Sequence, residues 1–137
     1  MGGIKVNSNF IKITEREYNL LIKNADANSI FIAEIDGKLI NNLSKYLYIV
    51  WDVFKFPKTE HINYYSYLDW IRDLEWIEAN EFAFIIHNFD QLLVQSPKER
   101  AIVINSLDKT VIPWWQNGII YYQVQGKPKK FNVYLVN

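Results

Sequence analysis

The chain has 137 residues, half of them hydrophobic, with five tryptophans, nine tyrosines, no cysteine and a formal net charge of zero. That length suits one domain with an ample core, and the absence of cysteine excludes disulfides, thiolate catalysis and zinc–thiolate sites. No apolar run approaches the roughly 20 residues of a membrane-spanning helix, and overall neutrality argues against general nucleic-acid binding.

The charge is unevenly spread. Between Thr59 and Asp90, seven carboxylates (Glu60, Asp69, Asp73, Glu75, Glu78, Glu81 and Asp90) stand against Arg72 alone. Near the other end Lys127, Lys129 and Lys130 have no acid beside them. An acidic middle in a neutral chain suits a cationic partner docking there. The first residues lack the charged-then-apolar layout of a secretory signal, so a cytoplasmic protein is expected.

In chain order, residues 1–28 read as an N-terminal extension packed on a core domain of residues 29–137. Phe10–Ile13 suits a strand or a packed arm. Thr14-Glu15-Arg16-Glu17 has the form of a capping box, and predicts a helix to about Lys23 with Tyr18, Leu21 and Ile22 inward. Ser29–Ile35 is almost continuously apolar and β-branched, as a buried parallel strand is. After the Asp36-Gly37 turn, Asn41 or Asn42 caps a helix to about Lys55, with Leu43, Leu47, Val50, Trp51 and Phe54 as its stripe. Pro57 lacks a backbone donor and biases Phe56 away from helical angles, so the helix stops before it. A further helix is expected from about Asn63 to Leu74. Tyr64, Tyr67, Leu68, Ile71 and Leu74 have the spacing of one buried helical face. Tyr65, Asp69, Arg72 and Asp73 then point outward.

Glu81–Asn88 reads as a second buried strand, followed by a helical turn near Asp90–Leu93. Ser96 as N-cap and Pro97 at the first position start another helix, which Ala101, Ile102, Ile104, Asn105 and Leu107 carry to about Lys109. Ile119–Val124 reads as a third strand. Gly126-Lys127-Pro128 is a turn, and Phe131–Val136 a fourth strand, expected to pair with the third as an antiparallel hairpin. Strands separated by helices imply an α/β layer structure.

No nucleophile elbow, Walker loop, zinc-protease or dinucleotide motif is present. Of the two histidines, His61 lies in a loop, and His87 ends a strand as a satisfied core residue would. Asp69 and Asp73, one helical turn apart on an outward face, lack the apolar pocket that raises a catalytic carboxyl's pKa. A non-enzymatic protein without a cofactor is expected. Glu60, Asp69 and Asp73 make no calcium loop, and no metal is expected. Trp114-Trp115 with Gln116-Asn117 and Lys127–Lys130 offers an alternative, a surface that stacks nucleic-acid bases or holds a small ligand. Against it, the tryptophans suit core plugs between a helix and a strand.

Phe56-Pro57, a short loop, Asn63, an aromatic-rich helix containing Asp69-Trp70, and Leu74-Glu75-Trp76 resemble the barstar family. The resemblance is strongest over residues 56–77 and extends from about Ser29 to Gln125. It implies a small parallel sheet flanked by helices, and an intracellular bacterial inhibitor or immunity protein acting on a secreted ribonuclease or another cationic nuclease toxin. In that family a loop and the next helix fill the nuclease active site with carboxylates that imitate RNA phosphates. Carried over, Asp69 matches the central inhibitory aspartate and Asn63 the asparagine that opens the helix. Thr59 stands where the family often has an aromatic, Leu68 replaces the usual tryptophan, and Tyr65 replaces an acid. The implied partner-binding set is Asp69 with Tyr65, Asp73, Thr59, Glu60, Asn63 and Arg72.

Overall fold

Phe82, Phe84 and Ile86 alternate with Ala83 and Ile85 along one strand, and all five are buried. A strand with two buried faces belongs inside a sheet covered on both sides. The computed structural model describes residues 9–58, 61–118 and 129–136. Its main elements are β1 (Phe10–Ile13), α1 (Glu15–Asn24), β2 (Ile30–Asp36), α2 (Leu43–Val53), α3 (Tyr64–Ile71), β3 (Glu81–His87), α4 (Pro97–Asn105) and β4 (Lys130–Val136). The sheet order is β1-β4-β3-β2 and every pairing is parallel. The protein is therefore α/β, a small parallel sheet flanked by helices.

The expected antiparallel hairpin is corrected. β4 runs parallel to both of its neighbours, β1 and β3. Its supposed partner, residues 119–124, lies outside the described residues. A glycine–proline turn favours a local pairing, but Phe131, Val133 and Leu135 are buried beside the phenylalanines of β3. Burial on two faces places this strand inside the sheet.

One sheet face carries the main core, where α2, α3 and the chain after α4 pack against β2, β3 and β4. On the other face Ala83, Ile85 and Val136 meet Ile13, Tyr18, Leu21, Ile30, Ile32 and Tyr134. α1 therefore covers the second face. Both capping-box bonds at Thr14 and Glu17 are present, and the Tyr18 hydroxyl donates to Glu34 Oε1 at 2.6 Å. That hydrogen bond, aided by burial, pushes the Tyr18 hydroxyl up to about 12. Ile22, expected inward, is exposed.

α2 is capped by Asn42, whose Oδ1 accepts from Lys45 N at 2.7 Å. It ends before Pro57 is reached. Lys55 takes a left-handed φ of 55°, Lys55 N donates to Asp52 O, and Phe56 N donates to Trp51 O. These are the two bonds of a Schellman motif. Its accompanying hydrophobic contact is the Trp51–Phe56 ring pair, 5.0 Å apart. After α4 the chain continues in wide π turns over Ser106–Val111 and Trp114–Gly118. Of the residues expected to carry this helix, Ala101, Ile102 and Asn105 are exposed. Leu107, also expected, is buried, together with Val103, Val111 and Trp115. A constant four-residue step matches turns wider than an α-helix.

A chain of hydroxyls sets the position of α3. Ser106 Oγ donates to the Val103 carbonyl at 2.7 Å. With its single hydrogen so used, Ser106 accepts from Tyr67 Oη at 2.9 Å, and Tyr67 accepts from Tyr46 Oη at 2.8 Å. Both tyrosines are fully buried. The direction makes the partners unequal. Tyr67→Phe strands the buried Tyr46 donor and is expected to cost about 1–3 kcal/mol, whereas Tyr46→Phe strands no donor and should cost about 0.5–1.5 kcal/mol. Urea denaturation of both variants checks this; equal losses would refute the direction.

Burial raises both hydroxyls well above the ordinary phenol range. Below the unfolded value near ~10 both are protonated in either state, and their contribution to stability is complete. As pH rises above it, the unfolded chain releases protons first and stability falls. Melting temperature is expected to drop between pH 9 and 11, less steeply in Tyr46→Phe. Gly37 gives a third test, because a Cβ there would lie 2.3 Å from the Asn88 carbonyl oxygen. Gly37→Ala must shift backbone and should lose about 1–3 kcal/mol; an unchanged denaturation midpoint would contradict the close approach.

Candidate functional site

α3 presents the sequence-predicted face. Asn63 opens it, its Oδ1 accepting from Ser66 N at 2.9 Å, an N-cap bond that satisfies one of the helix's free donors. The Asn63 side chain is thus engaged with its own helix. Tyr67, Ile71 and Leu74 are fully buried beneath, with Tyr64 and Leu68 partly buried beside them. One turn outward, Tyr65 is 78 % exposed, its ring 5.8 Å from that of Tyr64. The Asp69 side chain is 76 % exposed.

The helix ends at Ile71, one turn sooner than expected. Arg72 is its C-cap residue, with Nε donating to Leu68 O at 2.9 Å and Nη2 lying 3.3 Å from Asp69 Oδ1. A cation at a helix C-terminus sits favourably with the helix dipole. Asp73 lies past the end of α3, not on it, and is half-buried. Its Oδ1 accepts from Glu75 N at 3.2 Å, so this carboxylate helps form the turn that follows. The structure brings Tyr65, Asp69 and Arg72 together in one row. Thr59 and Glu60 lie outside the described residues.

One groove meets this row at Tyr65, and a second lies along α2 and the chain after it. The first, of about 510 Å³, lies between Tyr64, Tyr65, Leu43, Ile102 and Lys109. The second, of about 410 Å³, is lined by Tyr48, Trp51, Lys55, Lys58 and Ile62. Tyr48 is 66 % exposed and was not among the sequence-predicted residues. An aromatic outside the apolar stripe of α2 was the available signal. Exposed tyrosines beside a charged residue suit a protein interface, where large amphipathic side chains act as anchors.

The alternative surface is less open than the sequence allows. Trp115 is buried, its Nε1 donates to the Ile71 carbonyl at 3.0 Å, and its ring stacks on Phe131 at 6.0 Å. It plugs the space between α3 and β4, with Trp114 edge-on against it. Lys129 Nζ stands 5.6 Å over the Phe82 ring, Lys130 is exposed, and Lys127 is outside the described residues. Base stacking needs an open ring face, which Trp115 lacks.

His87 Nε2 lies 2.8 Å from Glu34 Oε1, the same oxygen that receives the Tyr18 hydroxyl. This places it in the packing of α1 against the sheet. Among the described residues no group of three or more His, Cys, Asp or Glu could hold a metal ion, and no helix is long and apolar enough to cross a membrane.

Among protein families, the model described as Barstar (barnase inhibitor) matches residues 30–135. Comparison with curated proteins and with solved structures finds no match. The matched region runs from the first residue of β2 almost to the end of β4 and contains α3 with its outward row. The chain belongs to the barstar family, whose members are described as inhibitors of barnase.

Proposed function

We propose that this protein inhibits a ribonuclease by covering its cationic active site with the outward row of α3 and the loop before it. Asp69 is the central contact, and Tyr65 anchors beside it. Further contacts are assigned to Arg72, Asp73 and Asn63 and, from the loop sequence, to Thr59 and Glu60. The single observation that carries this is Asp69: it stands open to solvent, within the region of the family match, on a helix whose other side is locked into the core, and the resemblance implies the inhibitory role for it. A nuclease must hold phosphate and therefore gathers cations in its cleft. A carboxylate on a rigid helix can occupy a phosphate position through charge-assisted hydrogen bonds, often bidentate to arginine. The protein would act as an immunity protein in the cytoplasm of a bacterium that makes a secreted ribonuclease.

The division of work along α3 supports this reading. Asn63 and Asp73 bond to their own backbone, which fixes the two ends of the helix. Asp69 is tied to no backbone group among the described residues, and its ion pair there is with Arg72. Association should be fast and weaken with salt, since complementary charge acts mainly on encounter.

The test is titration of barnase with the purified chain, following RNA cleavage and binding heat. The unsubstituted protein should inhibit. Asp69→Ala should weaken the complex by at least ~2 kcal/mol, the size of an interface hot spot, for which barstar's own interface is a reference case. A loss below ~0.5 kcal/mol, or no inhibition by either protein, would end the proposal.

A further inference from the structure

The central carboxylate of the proposed face already has a cation of its own. Arg72 Nη2 lies 3.3 Å from Asp69 Oδ1, and the two side chains are 31 % and 76 % exposed. Arg72 is held in place as well: its Nε donates to the Leu68 carbonyl at 2.9 Å, one of the last carbonyls of the helix. The guanidinium is therefore fastened at one nitrogen while another reaches the acid. Within the acidic stretch from Thr59 to Asp90, Arg72 is the single arginine or lysine.

We propose that Arg72 is an intramolecular competitor for Asp69, occupying the place that a partner's guanidinium would take and so setting the strength and selectivity of binding. This inference rests on the inhibitory role given above for the α3 face. A partner arginine that binds both carboxylate oxygens must displace Arg72 from Oδ1, or lie against a like charge. The bond at Leu68 hinders Arg72 from moving far. Partners are thereby sorted. A uniformly cationic cleft meets repulsion from Arg72, whereas a cleft with a carboxylate next to its cation can receive the displaced guanidinium. The partner class is thus a ribonuclease whose phosphate-binding cation is flanked by an acidic side chain.

The experiment is a double-mutant cycle with barnase as the probe. The unsubstituted chain, Asp69→Ala, Arg72→Gln and the double variant are compared at two salt concentrations by stopped-flow association and calorimetry, with circular dichroism confirming that each is folded. Arg72→Gln should bind about two- to five-fold more tightly, the range an exposed ion pair is worth. The gain should shrink at high salt and vanish in the Asp69→Ala background. Unchanged or weaker binding by Arg72→Gln would overturn the inference, and so would an equal gain in both backgrounds, which would reflect net charge without competition. If Asp69→Ala binds as well as the unsubstituted chain, or no complex forms, the inhibitory reading itself fails and this inference fails with it. If Asp69→Ala weakens binding and Arg72→Gln changes nothing, the inhibitory reading survives alone.

Discussion

A line of three hydroxyls ending on the Val103 carbonyl holds α2, α3 and the chain after α4 in one arrangement. Each hydroxyl donates to the next, and the series has one direction because a carbonyl oxygen can only accept. Away from water such bonds are stronger, and an unpaired member is costly. The consequence reaches the surface. Tyr67 faces the core, so Tyr65 and Asp69, two residues to either side in sequence, must lie on the outer part of the same helix. The exposed row of α3 is the complement of its buried one.

The sheet beneath is built from both ends of the chain. β1 pairs with β4, and α1 closes the face opposite to α3. Two polar ties reinforce this. Asn9 Nδ2 donates to the buried Asp108 carboxylate at 2.9 Å, and Tyr18 and His87 share one oxygen of Glu34. The residues before Ile30 precede the family match, and in this chain they supply an edge strand and the second layer. α3 and this layer lie on opposite sides of β3 and β4. Changes in one need not disturb the other.

The face that results is not purely acidic. Asp69 is open, Arg72 touches it, and Asp73 is drawn into the following turn. Tyr65 is exposed on the same helix, and Leu68 is half-buried beside it. Charge is thereby concentrated in one carboxylate, with aromatic area on either side. Such a face depends more on fitting a particular cleft than on attraction to any cationic surface, because long-range attraction scales with net charge and local pairing with geometry.

Much of this was legible in the sequence, for local reasons. The capping box at Thr14, the cap at Asn42, the β-branched strands and the outward position of Asp69 follow from spacing and from hydrogen bonds within a few residues. The family pattern rests on the same short range. What tertiary structure decided involves residues far apart in the chain. β4 entered the middle of a parallel sheet because its apolar residues are buried on two faces. Leu107, Val111 and Trp115 continue the inner face begun by Val103 of α4 because the backbone widened into π turns there. Asp73 left the outward row because α3 ended at Ile71. Periodicity shows which residues of an element share a side; it does not show where the element stops or which neighbour covers it, because both depend on packing between segments that sequence spacing does not record.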